Sequence, residues 1–193
     1  AEGETGAASV TNGAPDSYTR GSMRSLLWLF LDILLRRRGP QDLPASPALA
    51  GAVVLGCFAT TAVYSAYANP EGRWFVRTAA DLLASGLFLA GLLLAAGRMP
   101  RFLQSFTAMN GTSLLLTIPA LGLLAIAQTG WAPLQLPLTL AFYMLIVASL
   151  FVTEHILRET LECPRLLSIS LTIASLALSL AVAQWFDQPT AAA

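Results

Sequence analysis

The sequence predicts an all-α integral membrane protein: five transmembrane helices preceded by an interfacial amphipathic helix. Three observations carry this reading. Hydrophobic residues make up 55 % of the 193 residues and charged residues only 11 %, where an ordinary soluble domain carries roughly 25 %. Mean hydropathy is +0.65. The apolar residues also fall into five runs, each near the roughly 20 residues that a helix needs to cross a bilayer core.

The elements follow in chain order. Residues 1–21 open AEGETGAASVTNG. They are small, polar and Gly-rich, as expected of a disordered cytoplasmic tail. There is no basic segment followed by an apolar core, so no signal peptide is expected. Ala1 suits removal of an initiator Met in the cytoplasm.

Residues 22–39, SMRSLLWLFLDILLRRRG, are too short in their apolar part to span comfortably. Ser25, Asp32 and Arg36 form a narrow polar stripe on a surface otherwise of Leu, Trp and Phe. This predicts a helix lying along the bilayer surface, anchored by Trp28, Arg36, Arg37 and Arg38 at the head groups. Residues 40–47 hold Pro40, Pro44 and Pro47 and read as a linker.

The transmembrane domain is expected over 48–186. Its spans are Ala48–Ala68, Phe75–Ala96, Gly111–Gln128, Leu134–Val152 and Leu166–Phe186. Pro119 should kink the third span. Pro137, in the first turn of the fourth, costs little. Residues 187–193 form a short external tail.

All eleven cationic side chains are arginine and none is lysine, a composition expected of a high-GC bacterium. Nine arginines, from Arg20 to Arg38 and at Arg98, Arg101, Arg158 and Arg165, fall in segments of one side, against Arg73 and Arg77 on the other. This bias predicts a bacterial inner membrane protein with a cytoplasmic N-terminus and an external C-terminus. A net charge of zero argues against nucleic acid as a partner. Membrane lipids, and other membrane-protein subunits or a second copy, are the expected partners. Cys57 and Cys163 read as free thiols.

Three polar features stand out. Asp81 lies about two turns inside the second span, where an ionisable residue is a functional candidate. Arg77 at i−4 offers an intramembrane ion pair with it. Ser168, Thr172, Ser175 and Ser179 line one face of the fifth span, suited to helix packing or a partner interface. His155, Glu159 and Glu162 share a helical face near Cys163, but no other cytoplasmic segment supplies ligands, so no metal is expected. The expected role of this stretch is a solvated extension of the fourth span, with Glu154–Arg158 and Arg158–Glu162 as local pairs. No GxSxG, phosphate loop or HExxH occurs, so neither catalytic residues nor a cofactor are expected.

The layout also resembles a known family. A short amphipathic segment ends in RRRGPQDLPASPAL, a basic loop GRMPRFLQSFTAMNGTSLLL enters a Pro-containing span, and the fourth span runs into EHILRETLECPRLLSIS. With five spans and a cytoplasmic N-terminus, residues 24 to 186 resemble bacterial members of the Yip-domain family, relatives of eukaryotic proteins that bind Rab GTPases. The family's Asp-Leu-x-Gly-Pro motif lacks its glycine in QDLPASP, so the resemblance implies architecture rather than GTPase binding.

The leading expectation is a non-enzymatic scaffold, assembly factor or accessory subunit. The alternative is a small transporter or channel component, which needs Asp81 and the Ser/Thr face to line one cavity. A third is an interfacial enzyme using Glu154, His155 and Glu159.

Overall fold

The computed structural model describes residues 23–68, 73–130 and 132–187. The predicted N-terminal tail, Arg20 and nearly all of the C-terminal tail lie outside them. The elements are α1 (Met23–Leu34), α2 (Pro47–Ala68), α3 (Trp74–Ala95), α4 (Phe102–Ala127), α5 (Gln135–Leu161) and α6 (Arg165–Asp187), with no strand among the described residues. Helices α2 to α6 are long and apolar enough to cross a membrane. A lipid environment demands this architecture, because a helix satisfies its own backbone N–H and C=O groups.

The spans pack in a ring. Contacts run from α2 to α4, α4 to α5, α5 to α6, α6 to α3 and α3 back to α2. The α3–α4 and α5–α6 turns sit at the end of the ring where α1 lies. There Arg98 of the first turn bridges Glu162 of the second at 2.7 Å.

One of the sequence-based boundaries moves: helix α4 begins at Phe102 rather than Gly111. Helix α5 runs on to Leu161, so the expected extension of the fourth span is helical. Gln104, Ser105 and Asn110 hid the first turns of α4, where Ser105 and Asn110 are buried. Helix α4 runs through Pro119, and Pro137 falls in the first turn of α5.

The core sits at the α1 end. Phe30 and Ile33 of α1 join Leu43, Val53, Ala108, Val152 and Ile156 in one buried cluster. Leu89, Leu93 and Leu157 form a second, with Phe102 and Phe106 packed against it. One face of α1 is therefore docked on α4 and α5, while Trp28 on the other is 59 % exposed. Gly111 permits this docking, since a Cβ there would overlap the Phe30 ring.

Arg36, with φ +60°, ends α1 in the left-handed conformation. Its N–H bonds the Ile33 carbonyl, and the Arg37 N–H bonds the Asp32 carbonyl, a closed C-terminal turn. Arg36, Arg37 and Arg38 thus lie beyond the helix rather than on it. The expected linker is also more than a spacer. Leu43 is buried, and Gln104 Nε2 donates to its carbonyl at 2.7 Å.

Candidate functional site

A partly open cavity of about 360 Å³ lies among the spans. Every span contributes to it: Cys57 and Thr61 from α2, Thr78, Asp81 and Ser85 from α3, Asn110, Ser113 and Thr117 from α4, Ser149 and Thr153 from α5, and Ser179 from α6. Within each of the first four spans these positions are three or four residues apart, so they fall on one helical face. That spacing was visible in the sequence. It was missed because each stripe alone is short and sits among apolar neighbours.

Several hydroxyls on the cavity wall have committed their protons to backbone carbonyls. Thr78 Oγ1 donates to the Trp74 carbonyl at 2.7 Å, and Thr117 Oγ1 to the Ser113 carbonyl at 2.8 Å. Thr153 Oγ1 donates to the Ser149 carbonyl at 2.9 Å, and Ser149 Oγ to the Ile146 carbonyl at 2.7 Å. Each hydroxyl has one proton, so these four keep only lone pairs for the cavity. Asn110 Nδ2 donates one of its two N–H groups to the Phe106 carbonyl at 2.8 Å. Phe58, Phe106 and Phe142 supply aromatic surface, and no arginine or histidine lines the space.

Asp81 is the charged member. It lies seven residues into α3, about 10 Å along the axis at 1.5 Å per residue. Its Oδ1 is buried and has no hydrogen-bond partner. Oδ1 therefore makes no hydrogen bond to Arg77, the partner that the spacing suggested for Asp81. The i−4 spacing places both residues on one side of α3, but Asp81 turns to the interior.

The Ser/Thr face of α6 divides in two. Ser168 is fully buried, and its Oγ donates to Glu154 Oε1 at 2.9 Å. Thr172 is 5 % exposed and donates to the Ser168 carbonyl at 2.8 Å. Ser175 is half-buried, and Ser179 reaches the cavity. The face therefore serves contacts inside the bundle, with its last member at the same cavity as Asp81.

The end of α5 corrects another expectation. Glu154, His155, Ile156, Leu157 and Thr160 are buried, not solvated. Glu154 meets Arg36 at 3.4 Å and Arg158 at 3.9 Å. His155 Nε2 lies 3.0 Å from the Arg38 carbonyl. A carbonyl only accepts, so Nε2 carries the proton, and Nδ1 is buried without a partner. These bonds tie the turn after α1 to α5.

Glu162 pairs not with Arg158 but with Arg98 and, at 2.6 Å, Arg101. The Arg98 hydrogen bond, followed by that of Arg101, holds its carboxyl below the usual carboxylate range. Arg158 turns to Glu159 at 3.3 Å. Among the described residues, no three of His, Cys, Asp and Glu converge as metal ligands. Cys57 and Cys163 are free thiols.

No protein-family model, curated protein or solved structure matches the chain.

Proposed function

We propose that this chain is a small transporter or channel component of a bacterial cytoplasmic membrane, non-enzymatic, that takes a polar solute into the cavity within its helix ring. One observation carries the reading: Asp81 Oδ1 is buried without a hydrogen-bond partner in a cavity to which all five spans contribute. An acid at a helix centre costs about 2.5–3.5 kcal/mol on insertion. A purely structural acid would recover that cost through a fixed donor, and Oδ1 has none.

The orientation belongs to the same proposal. Arg24, Arg36, Arg37, Arg38, Arg98, Arg101, Arg158 and Arg165 belong to the α1 end, whereas Arg73 and Arg77 begin α3 at the other. The positive-inside rule puts the α1 end in the cytoplasm. A C-terminal reporter active only in the cytoplasm contradicts this.

Flux tests the function. Reconstituted vesicles should pass small polar solutes faster than protein-free vesicles, and Asp81→Asn should cut that rate at least tenfold. Equal rates in the two proteins, or no flux at all, overturn the proposal.

A scaffold or accessory-subunit role ranks second, and the family resemblance in layout belongs with it. The outward face of α1 favours it, because Leu27, Trp28 and Leu35 are 48 %, 59 % and 58 % exposed. A partner that co-purifies from native membranes, and is lost on Trp28→Glu, supports that role.

A further inference from the structure

We infer that the occupant of the cavity is a small organic cation of the quaternary-ammonium type. This rests on the solute-binding reading above and names its substrate class.

Three features select the charge. Among the described residues, the Asp81 carboxylate and the Cys57 thiol are the only ionisable groups on the wall, and no basic side chain lines the space. Thr78, Thr117, Ser149 and Thr153 have already given their protons to backbone carbonyls. They offer acceptor oxygens to whatever enters. An anion would meet the Asp81 carboxylate with no basic side chain among the lining residues to offset it, and a low-dielectric surround magnifies that repulsion. A cation meets Asp81 Oδ1, which has no hydrogen-bond partner among the described residues.

Size and wall chemistry then separate an organic cation from a bare metal ion. The cavity holds about 360 Å³, within the range of small-molecule pockets of roughly 300–1,000 Å³. A sodium or calcium ion takes several oxygens at one short distance, whereas these oxygens are spread over five helices. Between them lie Phe58, Phe106, Phe142, Leu82, Leu116 and Leu145. Aromatic faces attract alkylammonium groups, whose methyl shell also suits apolar walls. An alkylammonium thus uses the carboxylate, the rings and the apolar surface together.

The test uses the purified full chain in detergent, titrated with choline and with dimethylbutanol, its neutral carbon isostere. Wild type should bind choline at least tenfold more tightly than dimethylbutanol. Asp81→Asn should erase that preference without lowering the thermal midpoint, and Asp81→Glu should retain a preference for choline. Equal binding of both probes in wild type overturns the cation class and leaves a solute cavity standing. Binding of choline that Asp81→Asn leaves intact, or no binding of choline, also overturns the inference. The solute-binding reading fails separately, through the absence of flux in vesicles.

Discussion

Asp81 and Glu154 are the two acids enclosed by the helices, and their surroundings differ. Glu154 is saturated: Ser168 donates to one oxygen at 2.9 Å, and Arg36 approaches the other at 3.4 Å. A buried charge with such partners is structural, and removing a partner exposes the cost of its burial. Ser168→Ala should therefore destabilise the protein by about 1.5–3 kcal/mol, the worth of a hydrogen bond to a charged group. A fall in the detergent thermal midpoint checks this. Ser170→Ala, which loses only an exposed bond to the Leu166 carbonyl, should hardly move it.

Glu162 shows the opposite regime, an exposed carboxylate clamped by two arginines in the left-handed conformation at φ 47°. Its carboxyl titrates lower in the fold than in the unfolded chain. The clamp's support is therefore full above about pH 4.3, the ordinary glutamate value. It is lost as pH falls through the lower folded value. Thermal midpoints of wild type should drop between neutral pH and pH about 3 by more than those of Glu162→Gln. High salt should shrink that difference, because the pair is open to solvent.

At the scale of elements, the contact between α1 and α4 joins the amphipathic segment to the spans. Gly111 leaves room for the Phe30 ring, so Gly111→Ala should overpack the contact and cost about 1–3 kcal/mol. Gly51→Ala is the control: nothing lies within 4 Å of a Cβ at that position, and the exchange removes only the helix penalty of glycine. If the two variants shift the thermal midpoint equally, α1 is not seated as described.

The five spans were legible because each is a long apolar run, and composition sufficed for the class. The first turns of α4 and the burial of the α5 extension were not. A hydropathy window cannot distinguish Asn110 or His155 buried against protein from the same residue in water. The docking of α1 was hidden for a related reason: it depends on a missing side chain at Gly111, sixty or more positions beyond the helix it receives. Asp81 was visible as an anomaly, but spacing along one helix could not show that it lines a cavity with its Oδ1 free of hydrogen bonds. The hydroxyls that accompany it came from spans whose adjacency only the ring supplies.

At the scale of the whole molecule, the two halves of the ring do different things. The α1 end is dense, with Leu89, Leu93 and Leu157 together and α1 wedged beside them through Phe30 and Ile33. Arg98 and Arg101 also reach the Thr160 carbonyl there, at 3.5 and 3.3 Å, where exposed carbonyls at a helix end favour cations. Further along the ring the helices part around the polar cavity. A tightly packed α1 end thus adjoins a polar cavity that holds Asp81, whose Oδ1 has no hydrogen-bond partner.

Cys57 gives direct access to that interior, because it lines the same cavity as Asp81. The decisive measurement is its rate of modification, in a Cys163→Ser background, by cationic and anionic methanethiosulfonates of similar size. The cationic reagent should react with Cys57 at least tenfold faster, and Asp81→Asn should bring the two rates together. Equal rates with Asp81 intact, or a Cys57 that reacts only after denaturation, would contradict an acidic, solute-accessible cavity inside the ring.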